Sequence, residues 1–237
     1  MFVRLCRTDK AIRLEWRKLR IDRRSLYKIL QIGLPAGVQS AMFSVSNIVI
    51  QSAINSLGTA VMAASSAAFN IEVFTYDILN SFSQACTTFV GQNYGAGNRQ
   101  RCRRTLQLCL VEGAVTLGAG IVLVLFFGKS LLAIFNRDPE VIAIGYVRLM
   151  TIMVSHAFSL LYEVMSGYLR GFAISLAPAL LTVLGVCGVR ILWIMTVFPL
   201  QPTFQVVMLA YPVSLFATAV MVFAALMYYH PSRHKAQ

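Results

Sequence analysis

Apolar runs of about 20 residues recur along this chain, separated by short polar or basic stretches. A run of that length matches the hydrocarbon thickness of a bilayer. The pattern predicts an all-α membrane protein with six transmembrane helices, at about residues 29–57, 60–90, 107–128, 141–169, 175–197 and 205–229. Residues 1–28 form a basic segment in which Ile12, Trp16, Leu19, Arg23 and Leu26 recur at helical spacing. Either an interfacial amphipathic helix or a partly ordered basic arm fits that segment. Residues 230–237 make a short tail.

The polar residues inside the runs are not scattered. In the first span Ser40, Ser44, Asn47, Gln51 and Asn55 step by 4, 3, 4 and 4 residues, which puts them on one helix face. Lipid offers such a stripe no hydrogen bonds, so it lines a water-filled cavity or binds a neighbouring helix. Gly33-Leu34-Pro35 reads as the start of this helix, since a first-turn proline lacks only an N–H with no partner. In the second span Ser65, Phe69, Glu72, Tyr76, Ser83 and Thr87 fall close to one face. Asp77 is five residues from Glu72 and so points roughly 140° away. The two acids therefore form no carboxylate dyad.

The third span carries Gly113, Gly118 and Gly120, which suit close helix packing, and Glu112 near its cytoplasmic end. Lys129–Pro139 reads as a short polar loop. The fourth span repeats the one-sided pattern with Arg148, Ser155, Ser159, Tyr162, Ser166 and Arg170, with Glu163 and His156 beside it. A lone histidine there suits hydrogen-bonded packing better than proton relay. The fifth span contains Arg190, which needs a carboxylate, carbonyls or water; Glu72, Asp77 and Glu163 are the available acids. The sixth has Tyr211, Ser214 and Thr218 on one face and a kink expected at Pro212.

Composition agrees with this reading. The chain is 57% hydrophobic and 13% charged, with a mean hydropathy of +0.68, where a soluble domain carries about twice that share of charge. The net charge of +12 raises the question of nucleic acid. Its placement argues against it. Ten of the 21 Lys and Arg precede Ile29, and four more cluster at 99–104, in what reads as a loop. With both termini cytoplasmic, seventeen basic residues fall inside and two outside, the usual bias of a multi-pass plasma-membrane protein. Five cysteines without a C-x-x-C read as small apolar residues. Neither a metal site nor a nucleophile or phosphate-binding motif stands out, so no enzyme and no cofactor is expected. Stripes, a few buried acids and buried arginines are the equipment of a secondary transporter.

Several stretches together resemble the C-terminal six-helix lobe of multidrug and toxic compound extrusion (MATE) transporters. They are GLPAGVQS, NIVIQSAINSLG, TTFVGQNYGAGNRQR, LLAIFNRDPEV, SGYLRG, CGVRILWI and YPVS, spread over residues 27–229. Asn47, Gln51 and Asn55 give the N-x-x-x-Q-x-x-x-N of a bacterial subgroup of drug exporters. The resemblance implies antiport of small organic, often cationic, substrates coupled to Na+ or H+. It also implies two six-helix lobes around a V-shaped cavity, so the partner of this chain is a missing N-terminal lobe or a second six-helix chain. Some sodium-coupled members place an aspartate where Ser159 stands here, with Glu163 one turn later as a substitute, and others an acid at the position of Phe43. The R-G-x-G of the family reads Arg170-Gly171-Phe172-Ala173. The expected substrate and cation pathway therefore comprises Asn47, Gln51, Asn55, Glu72, Tyr76, Ser159, Glu163 and Arg190. The competing reading is a non-transporting membrane remnant, or an interaction partner of another transporter lobe.

Overall fold

The computed structural model describes residues 22–229. Ile12, Trp16 and Leu19 of the basic segment, and the 230–237 tail, lie outside the described residues. By its contacts the chain divides into residues 1–34 and 35–237. In the first unit the described backbone is helical from Arg23 onward. The second unit holds the core and every side-chain cluster described below.

All regular structure among the described residues is helical. The elements are α1 (Arg23–Asn55), α2 (Thr59–Gly95), α3 (Arg99–Phe135), α4 (Pro139–Gly171), α5 (Leu176–Thr196) and α6 (Phe204–Tyr229). Four of them, α3 to α6, are long and apolar enough to cross a membrane. The helices α1 and α2 are as long, but their polar stripes lower their hydropathy.

Several boundaries differ from those expected, for one reason. Hydropathy sees only the part of a helix that meets hydrocarbon. Helix α3, at 37 residues, is roughly 55 Å long against a core of about 30 Å, so both its ends run past the apolar stretch. The basic cluster Arg99–Arg104 is thus the start of α3 and not a loop; the turn before it is 96–98, with Gly97 at φ +75°. The Asn98 side chain caps α3 by accepting from the Arg101 N–H at 3.1 Å. Likewise Lys129 to Phe135 stays helical, and the loop shrinks to 136–138. There Asp138 accepts from the Glu140 N–H at 2.9 Å, with Pro139 at the first helical position. Gly33-Leu34-Pro35 does not start a helix, because α1 already begins at Arg23.

Helix α4 is the central element. Its buried residues extend from Val141 to Leu169 and run without break from Tyr162 to Leu169. One cluster, around Leu79, Cys86, Leu117, Leu160 and Val164, joins it to α2 and α3. Another, around Tyr162, Met165, Val186, Leu215 and Val222, joins it to α5 and α6. Helix α1 packs through its end, with Ile50, Ala53 and Ile54 against Ile194, Val207 and Met208. Cys86, Cys102, Cys109 and Cys187 are buried free thiols within this packing.

The α2–α4 seam is close enough to demand glycine. A Cβ at Gly167 would sit 2.5 Å from the Ser83 carbonyl oxygen, and one at Gly171 would sit 2.6 Å from Val90. Of the four glycines of α3, Gly113 meets Leu160 and Gly128 meets Tyr146 closely, whereas Gly118 and Gly120 have nothing within 4 Å. The turn after α4 holds Ala173 at φ +63°, where an L side chain costs about 1–2 kcal/mol.

Three substitutions test this packing in detergent-solubilised protein followed by thermal unfolding. Gly167→Ala is expected to destabilise by about 1–3 kcal/mol, since α2 and α4 must separate. Gly118→Ala has open space and should leave the transition unchanged or raise it slightly. Ala173→Gly relieves the left-handed backbone and should stabilise by up to about 1 kcal/mol.

Candidate functional site

The polar stripe of α2 faces α4. At one end the Glu72 carboxylate meets Arg148 in a two-point pair, Nε to Oε1 at 2.8 Å and Nη2 to Oε2 at 2.9 Å. Both side chains are buried, at 6% and 3% exposure. Further along, the Tyr76 hydroxyl donates to Glu163 Oε1 at 3.3 Å. The Ser83 hydroxyl donates to the Glu163 carbonyl at 2.7 Å and accepts from Arg170 Nη2 at 3.0 Å. Arg170 also stands 3.6 Å from Glu163 Oε2. Thr87 bonds the Gly167 carbonyl at 3.1 Å. Half of this stripe is therefore a hydrogen-bonded helix seam.

The other half opens into a cavity of about 400 Å³. Ser40, Phe43 and Asn47 of α1 line it, with Phe69, Glu72, Val73 and Tyr76 of α2. Helix α4 contributes Arg148, Ile152, His156, Ser159 and Tyr162; α5 contributes Val186 and Arg190; α6 contributes Tyr211 and Leu215. The walls are mostly apolar and aromatic with a few ionisable groups, the usual make-up of a small-molecule pocket.

Arg190 finds none of the three expected acids. Its Nε donates to the Ser214 hydroxyl at 3.0 Å, and that hydroxyl donates to the Tyr211 carbonyl at 3.0 Å. Its guanidinium carbon lies 4.4 Å from the centre of the Tyr211 ring, and that of Arg148 lies 5.7 Å from the same ring. Glu72 is taken by Arg148, Glu163 lies toward Arg170, and Asp77 is exposed on the far side of α2. The local helix geometry contributes. Helix α5 widens into a π turn at Val183–Gly188, just before Arg190. The extra residue of a π turn rotates everything after it by roughly 100° relative to a regular helix.

Of the eight residues expected in the pathway, Asn47, Glu72, Tyr76, Ser159 and Arg190 line this one cavity. Glu163 lines a smaller recess with Gln39, Ser166 and Arg170. Gln51 and Asn55 line neither; Gln51 Nε2 donates to Asn55 Oδ1 at 2.8 Å on an exposed face of α1. Arg148 and Tyr211 lie at the centre of the site and were absent from that set. The stripe on the fourth span did contain Arg148, and the sequence pattern held no sign of which acid it meets. His156 is buried beside the cavity with its ring 6.4 Å from that of Tyr76, and its Nδ1 has no hydrogen-bond partner. Among the described residues no three His, Cys, Asp or Glu side chains stand together as metal ligands.

A family model described as MatE matches residues 35–196. The chain belongs to the MatE family. This MatE chain is 27% identical over 164 residues to a probable multidrug resistance protein NorM of Chromobacterium violaceum, covering 68% of this chain and 34% of that protein. It is 24% identical over 183 residues to a probable multidrug resistance protein YoeA of Bacillus subtilis, covering 77% of this chain and 39% of the relative. A crystal structure of MATE in complex with MaL6 superposes with a TM-score of 0.80 at 15% identity, over 95% of this chain and 52% of that one. The MatE chain thus has the MATE fold and spans about half the length of that solved protein. It is a multi-pass membrane protein of a transporter family.

The Glu72–Arg148 pair generates a prediction. Glu72→Gln and Arg148→Gln each leave a buried charge unpaired and should destabilise by about 3–5 kcal/mol. The double variant removes both charges and should cost clearly less than the sum of the two. Additive losses in thermal unfolding would show that the two groups do not act as a pair.

Proposed function

We propose that this chain is the C-terminal half of a multidrug exporter that works by cation-coupled antiport, with Na+ or H+ as the coupling ion. The observation that carries the reading is the cavity bounded by Glu72, Arg148 and Arg190 in a chain of the MatE family. An intramembrane acid is costly unless it serves a pathway or a partner, and Glu72 borders open space as well as Arg148. Rearrangement of that pair gives a route by which a bound cation and a bound substrate exclude each other. The termini are cytoplasmic in this reading, as the distribution of basic residues requires.

A second lobe completes the reading. Ser40, Ser44, Asn47, Gln51 and Asn55 are all exposed on α1. On α2 an exposed series, Asn70, Asp77, Ser81, Gln84 and Thr88, follows helical spacing as well. Two polar faces of this kind do not suit lipid, and they fit a water-filled cleft opposite another six-helix lobe. The rival reading, a non-transporting remnant, draws support from the pairing itself, because Glu72 and Arg148 already neutralise each other.

Efflux separates the two. The chain is joined to the N-terminal half of a MatE relative and expressed in a drug-sensitive strain, and dye export is followed. Glu72→Gln should reduce export at least tenfold, the scale of a lost charge-assisted interaction, whereas Glu112→Gln, exposed on α3, should change it little. Equal effects of the two, or no export by the unmodified chimera, would sink the transport reading.

A further inference from the structure

The charges that border the cavity do not balance. Two guanidinium groups, Arg148 and Arg190, face it, and one carboxylate, Glu72. Both oxygens of Glu72 are engaged by Arg148. Arg190 is 7% exposed, and no carboxylate among the described residues lies within ion-pair distance of it. Its bonded nitrogen is Nε, held by the Ser214 hydroxyl, and the Tyr211 face supports the guanidinium from one side. The terminal nitrogens make no hydrogen bond among the described residues, and the residue lines the cavity. His156 adds either no charge or a further positive one.

An arginine within a membrane-spanning helix requires a counter-charge or water, and hydroxyl and ring contacts satisfy it only in part. The vacant edge of a guanidinium is a planar two-donor fork, which matches a carboxylate or a similar oxyanion. The cavity that Arg190 lines also carries the rings of Phe43, Phe69, Tyr76 and Tyr211. We propose that this cavity binds organic anions, with an aromatic body held between those rings and its anionic head on Arg190. The inference rests on the reading of the cavity as a substrate pocket, and it reverses the charge of the cationic substrates that the family resemblance implies. Tyr211, flanked by both arginines, becomes the positioning residue that keeps Arg190 turned toward the ligand.

The test uses three probes of one shape and different charge: 2-naphthoate, 2-naphthamide and 2-naphthylmethylammonium. Binding to the purified chain in phosphatidylcholine nanodiscs is measured by calorimetry. The carboxylate is expected to bind at least tenfold tighter than the amide and the ammonium, the scale of one charge-assisted contact. Arg190→Gln should remove that preference by weakening carboxylate binding far more than amide binding, with an unchanged thermal transition reporting that the protein is intact. Arg190→Lys should keep part of the preference. Glu72→Gln removes the one carboxylate among the described residues that line the cavity and should strengthen the preference for the anion. Tightest binding of the ammonium, or an equal loss of all three probes in Arg190→Gln protein whose thermal transition is unchanged, overturns the proposal. A loss of the preference in the chimera with an N-terminal half also overturns it, by assigning Arg190 to a carboxylate of the other lobe. Failure of the transport reading looks different: the carboxylate still binds with its preference, and the chimera exports none of the three.

Discussion

The buried pair between Glu72 and Arg148 ties the structure together. It crosses from α2 to α4, two helices joined by a narrow glycine seam, and borders the cavity. On one side of it the stripe of α2 is consumed by hydrogen bonds to α4, through Tyr76, Ser83 and Thr87. On the other side the two helices stay packed, Ala67 and Ala68 against Leu149 and Met153, and the cavity opens beside the pair between Phe69, Val73 and Tyr76 of α2 and Ile152, His156 and Ser159 of α4. Two charges out of water are stable there only because the geometry is two-pronged and both carboxylate oxygens are used. The pair also decides what is left over. With Glu72 occupied, Arg190 has no acid of its own among the described residues, whose cavity-lining side chains carry more positive than negative charge.

Packing reinforces this arrangement. Gly167 and Gly171 bring α4 within backbone distance of α2, so the seam is narrow and its polar groups meet directly. Helices α5 and α6 close the far wall, joined to α4 through Tyr162, Val186 and Leu215. The π turn in α5 falls immediately before Arg190 and places that side chain over Tyr211. A regular helix there would carry Arg190 to another face. The site is thus assembled from five helices, with its charged groups supplied by three of them.

The polar residues that remain have a different character. The exposed stripes of α1 and α2 find no partner helix among the described residues, and apolar helices carry them in a membrane setting where unpaired polar groups are costly. The chain spans about half of the solved relative it superposes on. The proposed second lobe would cover that face.

Much was legible in the amino-acid order. Six long helices, their one-sided polar faces and the separation of Glu72 from Asp77 around α2 follow from local spacing, because a helix converts sequence separation directly into angle; the family resemblance rested on short motifs such as GQNYGAG and SGYLRG. The helix ends were less legible, since hydropathy stops where the hydrocarbon stops and hydrogen bonding does not. Only the tertiary structure decided the pairing of charges. Glu72 meets Arg148, 76 residues away, and no periodicity within one helix states how a second helix is turned toward it. Three acids were open to Arg190 by sequence, and it received none, because rotation and a π turn in its own helix aimed it at Tyr211. Helical periodicity determined which residues share a face; the packing of one face on another determined which of them form a seam, which line the cavity, and which charge is left without a partner.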